Sequence, residues 1–170
     1  MIFNPPDQLT PKQFELLSYV LIKSFERQGG GETKARFATE AHRVTWSPNA
    51  FLGRSPTKVE ASALSRQLSK LVKGGLLDKN ERFVTLTNNG KRALREHALK
   101  HENRGLFRTV RLFIELATNS EHQSALETAT RLAREQGKTE LAEGLFTLRM
   151  GELKHLGEIL KQLEADKAIY

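Results

Sequence analysis

The residues with chemistry to offer cluster between Thr57 and Lys73, where the chain reads TKVEASALSRQLSKLVK. Helical spacing turns Ala61, Leu64, Leu68, Leu71 and Val72 inward, and Lys58, Ser62, Ser65, Arg66, Ser69, Lys70 and Lys73 outward or to the edges. Hydroxyls and cations so arranged suit oxygen acceptors. A guanidinium is a planar fork of donors that engages two acceptors at once, on a phosphate or on the major-groove edge of guanine. Arg66 has no acidic partner one turn away, because positions 62 and 70 are Ser and Lys.

Other chemistries find little footing. The chain has no cysteine, which removes a thiol nucleophile, a disulfide framework and Cys-type zinc sites. None of the motifs G-x-S-x-G, H-E-x-x-H, D-x-D-x-D-G or the dinucleotide fingerprint occurs. Gly29-Gly30-Gly31 lacks the spacing of a phosphate loop and follows an amphipathic helix rather than a strand, so it reads as a loop. His97-x-x-x-His101 has one-turn spacing and could hold zinc with Glu102 or His122. Without the Glu of a zincin motif the commoner reading, surface or packed histidines, stands. The expectation is a non-enzyme with no cofactor and no metal.

Charge sharpens the picture. Residues 1–100 carry 17 Lys and Arg against 9 Asp and Glu, and residues 101–170 carry 10 against 11, so the whole net charge of +7 lies in the first part. From Arg54 to Lys100 the count is 11 against 4. One part is therefore suited to a polyanion and the other is not. The first ten residues lack the basic start and apolar run of a leader, and no apolar stretch approaches the ~18 residues of a transmembrane helix, which points to a cytoplasmic protein with no membrane partner.

The elements that must position these residues follow from pattern. Thr10-Pro11-Lys12-Gln13 opens a first helix with a capping box, and Phe14, Leu17, Leu21 and Phe25 carry it as far as the stop at Gln28-Gly29-Gly30-Gly31. Thr33 to about Val44 reads as a second helix, with Phe37, Ala38, Ala41 and Val44 on one face. Residues 45–56 read as a loop of about a dozen residues, with Trp46 packed into it. Thr57-Lys58-Val59-Glu60 caps the third helix, which Gly74-Gly75 ends. Leu76-Leu77 and Phe83–Leu86 read as strands around a turn at Lys79-Asn80-Glu81. Thr87 caps a helix to about Lys100, and residues 102–105 form a joint. Three helical segments follow. Leu106, Val110, Phe113 and Ala117 mark the first, and a Ser120-x-x-Gln123 cap opens the second. The third carries leucines from 141 to 163, some at heptad spacing. Gly144, Gly151 and Gly157 either admit a close helix or break this last segment. The expected fold is mainly α with a small β-hairpin: a winged helix-turn-helix domain over 1–101 and a helical dimerisation region over 102–170.

The order helix, helix, helix, hairpin, helix is that of a winged helix-turn-helix. Ser65-Arg66, Leu68-x-x-Leu71, Gly75-Leu76-Leu77 and Leu86-Thr87-x-x-Gly90 resemble the recognition helix, wing and following helix of MarR-type regulators, and less closely those of PadR-type ones. The resemblance covers about residues 10–100, most specifically 57–94. It implies a transcriptional regulator, by default a repressor, that binds double-stranded DNA as a homodimer. It also puts Ser62, Ser65 and Arg66 in the groove or on its phosphates. Arg54, Thr57, Lys58, Ser69, Lys70 and Lys73 complete the expected helix contacts, and Lys79, Asn80 and Arg82 those of a short wing. Leu145, Leu148, Leu153, Leu156, Leu160 and Leu163 are the expected dimerisation residues. A small-molecule or protein effector is conceivable, though no residue cluster marks its pocket. Two other readings remain open: a winged-helix interaction or assembly factor, and a plasmid or phage replication, partition or antitoxin protein.

Overall fold

The computed structural model describes residues 9–27, 36–37, 41–101 and 106–167. The triple glycine and the joint at 102–105 lie outside them. The chain divides into two compact units, residues 1–26 with 42–111, and residues 27–41 with 112–170.

In the first unit, helix α1 (Pro11–Phe25) starts where the capping box requires. Gln13 N donates to Thr10 Oγ1 at 3.2 Å, and Thr10 N donates to Gln13 Oε1 at 3.0 Å. It ends at Phe25, because Glu26 already has extended backbone. Glu26–Arg27 (β1) and Arg36–Phe37 (β2), which apart from Glu26 belong to the second unit, pair as a minimal two-stranded sheet.

The helix expected over 33–44 is not what forms. Arg36–Phe37 is a strand, and Val44–Thr45 is another, β3 (residues 33–35 and 38–40 lie outside the described ones). β3 pairs antiparallel with β5 (Phe83–Leu86), Val44 opposite Val84 and Thr45 opposite Phe83. On the other side of β5 lies β4 (Leu77–Asn80), with Leu77 opposite Leu86 and Asn80 opposite Phe83. The expected hairpin is thus part of a three-stranded antiparallel sheet, order β3-β5-β4. Its turn is Glu81-Arg82, and Lys79 and Asn80 belong to the strand.

The expected loop at 45–56 also holds an element. Ser47 accepts from Ala50 N and Pro48 takes the first helical position of α2 (Pro48–Leu52). Only Gly53 to Thr57 then separate α2 from α3 (Lys58–Lys73), a five-residue connection in place of the expected dozen. At the far end of α3, Leu76 N bonds back to Leu71 O at 3.0 Å across Gly75, whose φ of 73° is the left-handed conformation this closure needs. The Thr87 hydroxyl accepts from Gly90 N and donates to Gly75 O at 2.6 Å, tying the start of α4 (Asn88–Lys100) to the end of α3.

These elements share one core. α1 contributes Leu16, Leu17, Val20, Leu21 and Phe25, and it packs on β3, β5, α3 and α4. Leu64, Leu68 and Leu71 of α3, Leu77 of β4, Val84 of β5, and Ala93 and Leu94 of α4 complete it. Each buried Leu contributes about 1.5–3 kcal/mol, so α3 is held by its inner stripe and presents the opposite face outward.

In the second unit two helices replace the three expected segments. α5 (Leu106–Glu135), whose first turns belong to the first unit, runs unbroken through Ser120; α6 (Thr139–Lys167) runs unbroken through its glycines. Ser120 lies in mid-helix, where the neighbouring N–H groups already have carbonyl partners one turn back and need no cap. The helices lie antiparallel, as three contacts show. Gln123 Nε2 donates to Arg149 O at 3.2 Å, and Arg149 Nε donates to Gln123 Oε1 at 3.3 Å. His155 Nε2 and Glu115 Oε1 are 2.8 Å apart.

Candidate nucleic-acid interface

The outward face of α3 is fixed at its N-terminus by a small network. Glu60 N donates to Thr57 Oγ1 at 3.2 Å, and Glu60 Oε2 accepts from Thr57 N at 2.8 Å. The Arg54 guanidinium grips the same carboxylate from outside, Nη2 to Oε1 at 2.6 Å and Nη1 to Oε2 at 2.9 Å. Arg54 first, then the Thr57 backbone, hold the Glu60 carboxyl down to about 2, so it is ionised throughout the neutral range. Two of the residues expected at DNA therefore have work inside the fold. Thr57 caps α3, and Arg54 ties the end of α2 to its first turn.

Every residue of the expected set is exposed: Arg54, Thr57, Lys58, Ser62, Ser65, Arg66, Ser69, Lys70, Lys73, Lys79, Asn80 and Arg82. Arg54 apart, the cations among them form no ion pair among the described residues. Ser62, Arg66, Ser69 and Lys73 stand three to four residues apart on one side of α3, with Lys70 beside them. Lys70 and Lys73 also sit in its last turn, where cations complement the helix dipole.

The sequence reading missed two residues here. Arg43, just before β3, lies with its guanidinium carbon 6.0 Å from the centre of the Phe83 ring, and Arg82 lies 5.2 Å from it. Trp46 N donates to Arg82 O at 2.8 Å, which pins this corner of the sheet. Arg43 falls in the stretch 33–44 whose spacing reads as a helix, so nothing in the sequence points to the sheet. The other is Val59, which heads the outward face of α3 and at 76% is the most exposed large apolar side chain among the described residues.

Tyr19 of α1, Trp46 and Phe51 of α2 pack edge to face and tilted, with ring centres 5.2 to 6.3 Å apart. Burial is the main cause that pushes the Tyr19 hydroxyl above its ordinary value. Trp46 thus packs, as expected. His97 lies among Phe14, Phe107 and His101, its ring centre 4.8 Å from Phe14 and 4.4 Å from His101. It is buried, and its Nδ1 has no partner among the described residues. Glu102 lies outside the described residues. Among the described ones no three His, Asp or Glu converge as a metal site would require.

The expected dimerisation residues divide. Leu156 and Leu163 are buried, Leu145 and Leu160 half-buried, and Leu148 and Leu153 exposed at 53% and 40%. Phe146 and Met150 are also exposed. With Leu153, Gly157 and Leu160 they recur at intervals of four and three along α6, the spacing of a coiled-coil seam. No helix among the described residues is long and apolar enough to cross a membrane. Comparison of the chain with protein-family models, with curated proteins and with solved structures returned no match.

Proposed function

We propose that this protein is a winged-helix regulator that binds double-stranded DNA as a homodimer, with α3 in the major groove and the β4–β5 turn against the backbone. The observation that carries the reading is the outward face of α3, where serines and unpaired cations are exposed on a helix locked from behind by Leu64, Leu68 and Leu71. Three further features support it. The connection between α2 and α3 is short, as in a helix-turn-helix. β3 adds a third strand beside the hairpin. Lys79, Arg82 and Arg43 lie near the tip or edge of that sheet. Transcriptional repression, by occupation of a promoter, comes from the MarR-type resemblance alone.

The exposed apolar residues of α6 favour a second reading, in which the chain is an interaction or assembly factor. One experiment separates the two. Sequences bound from a random double-stranded DNA pool are selected with wild type and with Arg66→Ala at one salt concentration. The DNA reading expects an enriched inverted repeat, its half-sites about one helical turn apart, that Arg66→Ala no longer selects. It also expects affinity to fall steeply with salt, and Lys70→Ala to lower that slope by about one phosphate contact. Binding without sequence preference, unchanged by either substitution, overturns it.

A further inference from the structure

We propose that Val59 is a specificity-determining residue that reads the 5-methyl group of a pyrimidine in the major groove. The inference rests on the DNA reading above and assigns a base contact to a residue that the charge pattern does not include.

Val59 is the second residue of α3, between the cap Thr57 and the box glutamate Glu60. Nothing in the fold calls for it there. It is 76% exposed, so it adds nothing to the core. A β-branched residue is a mediocre helix former, and the first turn of a helix favours acidic side chains. Single exposed apolar residues are ordinary on protein surfaces, but the company this one keeps is not. Ser62 and Arg66 follow at three and seven residues on the same face, so Val59 heads a row of polar groups. It is also alone. Among the described residues the other large exposed apolar side chains are Leu99 on α4 and those on α5 and α6, so none of them forms an apolar patch with Val59 on α3 of the kind a protein partner would need.

The chemistry selects the ligand. N-terminal residues of a recognition helix meet base edges. In the major groove guanine and adenine present acceptors, cytosine and adenine present amino donors, and thymine alone among the unmodified bases presents a methyl group. An isopropyl group leaves the donors and acceptors unpaired and gains only from the methyl. The helix rises ~1.5 Å per residue, so Val59 lies ~10 Å along the axis from Arg66. For a helix lying along the groove that is about three base pairs. The contact expected is therefore a thymine about three base pairs from the position that Arg66 contacts.

The test uses the whole 170-residue chain and the inverted repeat it selects. Each thymine is replaced in turn by deoxyuridine, which removes only the methyl. Wild type is expected to lose about fourfold in affinity per half-site at one position, the equivalent of ~0.8 kcal/mol for one buried methyl group. Val59→Ala, harmless on an exposed first turn, is expected to bind the thymine site with the same loss and to be indifferent to the replacement. A cytosine and a 5-methylcytosine at that position then tell the two sources of the methyl apart, since only the methylated base can replace thymine. If no thymine is sensitive, or if Val59→Ala senses it as wild type does, the assignment of Val59 is overturned and the DNA reading stands. If no sequence is enriched, the DNA reading falls and the assignment with it.

Discussion

Gly→Ala at four helical positions is expected to act with opposite signs. At Gly144, Gly151 and Gly157 of α6 an added Cβ meets no heavy atom within 4 Å beyond the helix itself. Each glycine costs about 1 kcal/mol relative to alanine inside a helix. Neighbours in this set are 9 Å or more apart along the axis at ~1.5 Å per residue, so the gains add to about 3 kcal/mol. Gly90 of α4 differs. A Cβ there would run into Leu76 O and come within 2.7 Å of Leu86 Cδ1. The carbonyl cannot step aside cheaply, because it accepts from Thr87 N while the Thr87 hydroxyl holds Gly75 O. Overpacking of this kind costs about 1–3 kcal/mol, and more against fixed backbone, which outweighs the gain in propensity. Urea unfolding checks both. Trp46, the only tryptophan, reports by fluorescence on the unit that holds Gly90, and helical circular dichroism reports on α6. The expected result is a lower Trp46 midpoint for Gly90→Ala and a higher midpoint, by dichroism, for the triple variant of α6. A neutral Gly90→Ala would refute the close approach of α4 to Leu76. A destabilised triple variant would mean that the glycine positions of α6 are covered.

Two further predictions concern the packed histidine and the apolar stripe. Burial first, then the charges of His101 and Lys100, pushes His97 below its ordinary value of 6.5. The folded state thus holds it neutral where the unfolded chain takes up a proton. Its stability contribution is complete above about pH 6.5 and declines as the pH falls below that toward the folded value. Urea midpoints between pH 7.5 and 5.5 (above the range where carboxylates dominate) should fall for wild type and stay flatter for His97→Phe; parallel curves would refute this. Met150→Glu and Leu153→Glu together should leave helical dichroism intact, since both side chains are exposed, but convert a dimer to a monomer by light scattering. A monomeric wild type, or a dimer indifferent to both charges, would take α6 out of dimerisation.

What the sequence made legible was local. The capping boxes at Thr10 and Thr57 need only residues three apart, and both helices begin there. The inner stripe of α3 depends on one period, and Leu64, Leu68 and Leu71 are buried. β3 was not legible, because its two residues have no period of their own. Their partners, Val84 and Phe83, are some forty residues further on. Phe37, Ala38, Ala41 and Val44 meanwhile happen to match a helical spacing. The leucines of α6 fared similarly. Spacing alone selects Leu156 and Leu163 together with Leu153, and the packing then separates buried from exposed.

The same limit applies to charge, and it matters more for function. A count of cations along the chain weighs Arg54 and Arg66 equally, since both are exposed. In the fold they differ in kind. The fork of Arg54 is filled by Glu60 across a turn whose length the sequence did not give, so drawing it to a phosphate would first break two short hydrogen bonds. Arg66 has no carboxylate within reach on its own helix and none is paired with it among the described residues, so its donors are open to a ligand without any such exchange. Arg43 reverses the lesson. It entered no count of recognition-helix charge, yet strand pairing brings it to the Phe83 ring that Arg82 also flanks. The cations available to a polyanion are therefore a different set from the cations that are numerous: Arg54 leaves it, Arg43 joins it, and the face of α3 headed by Val59 is a place where free charge, hydroxyls and a lone apolar group share a rigid support.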